Sequence, residues 1–199
     1  MKRPSGVSRR DTMTAALSLP LVTGLGLSVD SAAAQNAASR AAPLVAYFSR
    51  TGNTRVVAAQ IRRAYGADLF EIEPADPYPE DYEAVVRRAQ TERDRGYQPP
   101  LRATIPDIRS YDVVFLGFPI WGMSTPPVIR SFLAGHDLSG KTLVPFVTHG
   151  GYGLGNSMAI VAAHAPRSRL LEPFTMRADQ ERETLSHVSR WLGDIRVGR

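Results

Sequence analysis

From Leu44 onward the chain alternates between short apolar runs and longer amphipathic stretches. The run LVAYF (44–48) has strand length and no polar break, the pattern of a strand covered on both faces. The next stretch carries Val56, Val57, Ala59, Gln60, Ile61 and Ala64 at helical spacing; Thr54 is positioned to cap it and Gly66 to end it. DLFEIE (68–73) alternates as an edge strand does, and a proline-punctuated loop then leads into a charged helix over about 80–95. DVVFLGF (112–118) is the most apolar strand. A helix starts at Pro127 and runs to about 133, TLVPFVT opens the fourth strand, and a helix covers about 156–164. LLEPFTM (170–176) reads as the last strand, followed by a closing helix over about 179–193. Five strand–helix units in this order predict an α/β fold: a doubly wound, five-stranded parallel sheet of order 2-1-3-4-5 in a three-layer α/β/α sandwich. In such a sheet ligands sit beyond the carboxyl ends of the strands, where strands 1 and 3 part. That rule selects three loops, 49–54, 119–125 and 148–155.

Residues 1–34 have a different character. Lys2, Arg3, Arg9 and Arg10 precede an uncharged stretch over 12–29 and then Ala32-Ala33-Ala34, the order of an export signal. Thr, Ser, Gly and Pro20 dilute the apolar stretch below what a membrane anchor of about 20 apolar residues requires. Ser8-Arg9-Arg10 resembles the twin-arginine signals that carry folded proteins to the periplasm, although Asp11, Thr12 and Met13 replace the bulky apolar residues usual after the pair. The expected organisation is therefore an export signal over 1–34, a linker over 35–43 and one domain over 44–195, with no stable membrane span after signal removal. Cleavage takes away four basic and two acidic residues and lowers the net charge from +5 to +3. The remaining positive charge is scattered arginine without a basic block, which argues against nucleic acid as a partner. The chain has no cysteine, so disulfides, thiolate metal sites and cysteine nucleophiles are excluded together.

The first loop offers hydroxyls from Ser49, Thr51 and Thr54, a close backbone approach at Gly52, and N–H groups of Gly52, Asn53 and Thr54 at a helix N-terminus, where a phosphate is favoured. It has neither the GK[ST] of a nucleoside-triphosphate loop nor G-x-G-x-x-G. Taken alone it is also compatible with an ordinary capped strand-to-helix turn. A hydrolase on the same sheet, with Ser49, Ser124 or Ser157 as nucleophile, lacks the G-x-S-x-G elbow and any plausible triad partners. His136, His149, His164 and His187 show no metal spacing, and His149 reads as a loop hydrogen-bonder rather than a proton donor.

Ser49-Arg50-Thr51-Gly52-Asn53-Thr54 resembles the phosphate loop of the flavodoxins, [ST]-x-T-G-x-T. Pro119-Ile120-Trp121-Gly122 after the third strand, and Thr148-His149-Gly150-Gly151-Tyr152 with Gly155 after the fourth, resemble the two loops with which that family grips the isoalloxazine of FMN. Tyr78-Pro79 and Tyr82, ahead of a long second helix, are similar to its short-chain members. The resemblance implies a flavodoxin-like fold and FMN as cofactor, with a carbonyl near Trp121 and Gly122 available to flavin N5 and the glycine-rich loop facing the pyrimidine edge. Trp121 either faces the ring or plugs its loop against the domain; Tyr152 is the second aromatic neighbour. Relatives commonly have a second Trp where this chain has Gly122. The implied function is electron transfer to and from a redox partner protein or a small-molecule donor or acceptor. The alternatives are an FMN-dependent NAD(P)H or quinone oxidoreductase of the same fold, and a binding module with an empty flavin site.

Overall fold

The computed structural model describes residues 42–177 and 181–196; the expected export signal and residues 35–41 of the expected linker lie outside them. Among the described residues six parallel strands and five α-helices follow one another, alternating except that β6 comes directly after β5: β1 (Leu44–Tyr47), α1 (Asn53–Tyr65), β2 (Asp68–Glu71), α2 (Tyr82–Asp94), β3 (Val113–Pro119), α3 (Pro127–Gly135), β4 (Thr142–His149), α4 (Ser157–His164), β5 (Arg169–Leu170), β6 (Phe174–Arg177) and α5 (Glu181–Asp194). The sheet runs β2-β1-β3-β4-β5, with β6 also beside β4, so the expected 2-1-3-4-5 order holds.

The continuous apolar runs follow from burial on both faces. Leu44, Ala46, Leu116 and Phe118 pack on one side with Val128, Ile129, Phe132 and Val161 of α3 and α4. Val45, Tyr47, Phe115 and Phe146 pack on the other with Val57, Ile61 and Val188 of α1 and α5. β2 sits at the edge, which is why its residues are only half-buried or exposed. Among the described residues no helix is long and apolar enough to cross a membrane.

Two local expectations are corrected. The single strand over 170–176 is broken: Leu143 pairs Leu170 and Phe146 pairs Phe174, so β4 spends three steps where its neighbour spends four. The extra residue falls within 171–173, where Pro173 has no N–H to give to the ladder, and pairing lapses into a bulge before resuming at Phe174. Thr54 does not cap α1. Gly52 holds the N-cap position, without a side-chain cap bond, and Thr54 is buried inside the first turn.

Candidate functional site

Three loops meet at the carboxyl ends of β1, β3 and β4. The first continues β1, since the Phe48 N–H still donates to the Gly117 carbonyl at 2.9 Å. Ser49 Oγ then accepts from the Arg55 N–H at 3.3 Å, and Asn53 Nδ2 donates to Thr51 Oγ1 at 3.4 Å. Gly52 has φ +95°, a conformation that disfavours a side chain, and nothing lies within 4 Å of where its Cβ would stand. The N–H groups at the start of α1 have no intrahelical acceptor, and no acidic residue occupies the first turn. The loop is thus an open helix N-terminus with the partial positive charge that favours an anion. Thr54 Oγ1 and Thr148 Oγ1 share a buried hydrogen bond of 2.9 Å that joins this turn to the end of β4. Arg50 turns outward: its Nη2 donates to the Glu80 carbonyl at 3.0 Å and its guanidinium lies 5.8 Å from the centre of the exposed Tyr82 ring.

The second loop is a tight reversal. The Ile120 N–H donates to the Thr148 carbonyl at 2.8 Å, and Trp121 and Ser124 exchange backbone hydrogen bonds at 3.0 and 3.2 Å. Gly122 and Met123 between them have φ +55° and +60°, the signs of a mirror-image two-residue turn. A methionine at positive φ is strained and persists only where its surroundings fix it. The third loop does so: the Asn156 N–H donates to the Met123 carbonyl at 3.0 Å, and a Cβ on Gly155 would fall 1.9 Å from that oxygen. Loops two and three therefore lock together.

Trp121 plugs its loop against the domain. Its ring stands edge-on to Phe48 and Tyr78, with centroids 5.2 and 4.9 Å away and interplanar angles of 84°. Tyr78 is held in turn by a polar network that spacing alone did not announce. Its hydroxyl donates to Glu92 Oε2 at 2.7 Å, Arg88 Nε donates to Glu92 Oε1 at 2.8 Å, and the Arg88 guanidinium lies 4.6 Å from the Tyr78 ring centre. Burial, and then the bond to the Glu92 carboxylate, hold the Tyr78 phenol well above the ordinary tyrosine range. The i, i+4 relation of Arg88 and Glu92 was visible in the sequence; their partner Tyr78 was not.

In the third loop His149 Nδ1 accepts from the Gly151 N–H at 3.1 Å, the role of a turn hydrogen-bonder. Tyr152 stands at the loop's tip, 84% exposed.

A cleft of about 330 Å³ opens between these loops and α2. Six of the expected site residues border it, Arg50, Thr51, Ile120, Trp121, Gly122 and Gly150, facing an apolar wall of Val85, Val86 and Ala89. Ser49 lies instead in an adjoining space of about 200 Å³ beside Arg55 and Glu71. Pro119, Thr148, His149, Gly151, Tyr152 and Gly155 supply the frame around the cleft rather than its lining. Sequence reasoning missed the α2 wall and Arg93, which also borders the cleft. A cavity of about 400 Å³ lies at the other end of the sheet, where His136 has both ring nitrogens engaged by the Ile105 N–H and the Phe132 carbonyl. An open helix N-terminus beside an apolar cleft fits a cofactor that joins a terminal phosphate to a flat, largely apolar ring.

Comparison with known proteins agrees. Among solved structures, a protein of Bacteroides eggerthii DSM 20697 assigned as a flavoprotein is 36% identical, over 76% of this chain and 96% of its own, with a TM-score of 0.66. A second, from Bacteroides uniformis ATCC 8492 and likewise assigned as a flavoprotein, is 27% identical over 77% of this chain and 99% of its own, with a TM-score of 0.69. A flavoprotein in complex with FMN from Lactobacillus acidophilus NCFM is 19% identical over 72% of this chain and 97% of its own; its TM-score of 0.61 shows a shared fold. No curated protein matches the chain. The sequence profile described as Flavodoxin matches residues 42–195, the whole of the sheet and its helices, and the chain belongs to the flavodoxin family.

Proposed function

We propose that the protein is an FMN-binding, flavodoxin-like redox protein that carries electrons between partners outside the bacterial inner membrane. The observation that carries the reading is the open N-terminus of α1 at Gly52, set beside the apolar cleft at the ends of β1 and β3. The N–H groups of Gly52, Asn53 and Thr54, with the hydroxyls of Ser49 and Thr51, hold the terminal phosphate. Trp121, Gly122 and Gly150 border the space for the ring, and the Thr54–Thr148 bond keeps the phosphate loop and the third loop in fixed relation. FMN supplies the one- and two-electron chemistry when bound. The chain's own contribution is to bind and orient it and to shield one side of the ring from water with Ile120, Val85 and Val86.

Titration by flavin fluorescence tests this. FMN is expected to bind at least about tenfold more tightly than riboflavin or FAD, a difference of about 1.4 kcal/mol or more from contacts to a terminal phosphate. Equal affinity for riboflavin and FMN would sink the reading.

The location rests on residues 1–34. The basic start, the uncharged 12–29 stretch, Arg9-Arg10 and Ala32-Ala33-Ala34 support export by the twin-arginine route, which carries a folded, cofactor-loaded domain. Replacing Arg9 and Arg10 by Lys is expected to strand the protein in the cytoplasm. Undiminished periplasmic recovery of that variant by fractionation would assign the signal to the general secretory route.

A further inference from the structure

We propose that Arg93 and Arg130 form an oxyanion subsite against the Trp121–Ser124 turn, taking a carboxylate or phosphate group of the molecule that exchanges electrons at the cleft. The position of the subsite stands on geometry; the redox role of its ligand rests on the function proposed above.

Five arginines among the described residues are ion-paired, and most of the others are exposed to solvent. Arg55, Arg88, Arg102, Arg109 and Arg167 each have a carboxylate within 4.0 Å. Arg93 and Arg130 have none among the described residues, and both are part-buried. Arg93 reaches from α2 to the Trp121 carbonyl with a long contact of 3.5 Å from Nη1. Its Nη2 lies 2.7 Å from where a Cβ on Gly122 would be, so the guanidinium rests on the bare glycine of the turn and borders the cleft. Arg130 comes from α3 on the other strand of the same turn, with Nη2 3.4 Å from Ser124 Oγ. Its Nε is buried without an acceptor, as is the hydroxyl of Thr125, the residue after Ser124.

Two guanidiniums thus converge on one four-residue turn with ten N–H donors between them and, among the described residues, two long contacts to protein oxygens. Burial, and then the nearby Arg93 charge, pull Arg130 below the ordinary arginine range. Like charges in a part-buried place without a counter-charge are costly, and an oxyanion bridging planar forks relieves both repulsion and unmet donors. A free carboxylate or phosphate on a small reactant and a carboxylate side chain on a protein partner share this chemistry.

The test uses the full chain loaded with FMN, so that the α1 N-terminus is occupied, and titrates benzoate and inorganic phosphate by calorimetry. Arg93→Gln and Arg130→Gln are each expected to weaken benzoate about tenfold, the effect of losing a charge-assisted partner, with Arg→Lys at either position recovering part. In oxyanion-free buffer Arg130→Gln is expected to unfold no earlier than wild type, since it removes an uncompensated buried donor; this keeps a folding defect distinguishable. Benzoate and phosphate binding that is absent, or equal in wild type and both Gln variants, overturns the subsite. So does a tenfold loss of FMN with benzoate affinity unchanged, which assigns the arginines to the cofactor. A repeat without added flavin separates failure to take up FMN, which overturns the proposed function, from failure to take up benzoate. Competition by an oligoglutamate peptide, more tightly than benzoate itself, assigns the oxyanion to a partner protein's surface; lack of competition assigns it to a small reactant.

Discussion

The two ends of the candidate site are built in opposite ways. Around Gly52 the loop is open: the positive φ meets no neighbour, and the first-turn N–H groups have no intrahelical acceptor. Around the Trp121–Ser124 turn the backbone groups of Trp121 and Ser124 and the Met123 carbonyl are committed. Trp121 and Ser124 bond each other, Met123 is held by Asn156, and Gly155 is packed against the Met123 carbonyl. Glycine serves both places for different reasons. At Gly52 it leaves room for something outside the protein, and at Gly155 it leaves room for the protein itself. The contrast teaches that the phosphate end is a ligand-ready surface, whereas the ring end is a preorganised wall whose shape was fixed at folding.

The sharpest way to break the comparison is Gly155→Val. At φ +54°, with a backbone oxygen 1.9 Å from the new Cβ, the two loops must separate, and a loss of about 3 kcal/mol or more is expected in urea unfolding. A loss below about 1 kcal/mol would mean the loops are not locked.

Gly52→Val should show the reverse profile. It carries the strain of positive φ, about 1 kcal/mol, but meets no protein atom. Its main effect is expected on FMN affinity, at least about tenfold by fluorescence titration and well beyond that of Arg50→Ala, because the Arg50 guanidinium is engaged with the Glu80 carbonyl. If Arg50→Ala were the more damaging, the phosphate would belong with that side chain.

Tyr78→Phe probes what stands behind Trp121. Removing the hydroxyl costs about 1 kcal/mol at neutral pH through the bond to Glu92. The pH dependence has a definite sign. Folding raises the Tyr78 phenol above its unfolded value of 10.0, so its contribution is fully present below that pH and is lost as pH climbs through the folded value. Tyr47, Tyr65 and Tyr111 are raised as well, each chiefly by burial. Wild-type stability is therefore expected to fall above about pH 10, and Tyr78→Phe to fall less steeply. Parallel curves for the two proteins in alkaline urea titrations would remove Tyr78 from the network.

The smallest effect is expected from Tyr152→Ala. At 84% exposure the side chain contributes little to folding, and stability should stay within about 0.5 kcal/mol of wild type. A several-fold loss of FMN affinity in the same variant would make Tyr152 a ring neighbour despite its exposure; no loss would leave Trp121 and Tyr82 as the aromatics beside the cleft.

The sequence by itself determined the order and type of the elements, because those are set by short-range patterns. Apolar runs such as LVAYF and DVVFLGF need cover on two faces, and helical spacing between them leaves the parallel sheet as the consistent arrangement. The ends of the strands, and hence the three loops, followed from the same patterns. Tertiary structure decided what the loop residues do, since each role is a contact with something distant in the chain. Thr54 looked like a cap from its neighbours but bonds Thr148, 94 residues away, and Trp121 turns edge-on because Phe48 and Tyr78 arrive from β1 and the loop before α2. Arg93 and Gly122, 29 positions apart, come into contact only once α2 packs beside the turn, so no window of sequence contained the encounter. Pro173 shows the boundary between the two. Its missing N–H was legible as chemistry, but the bulge over 171–173 exists only against the register of β4.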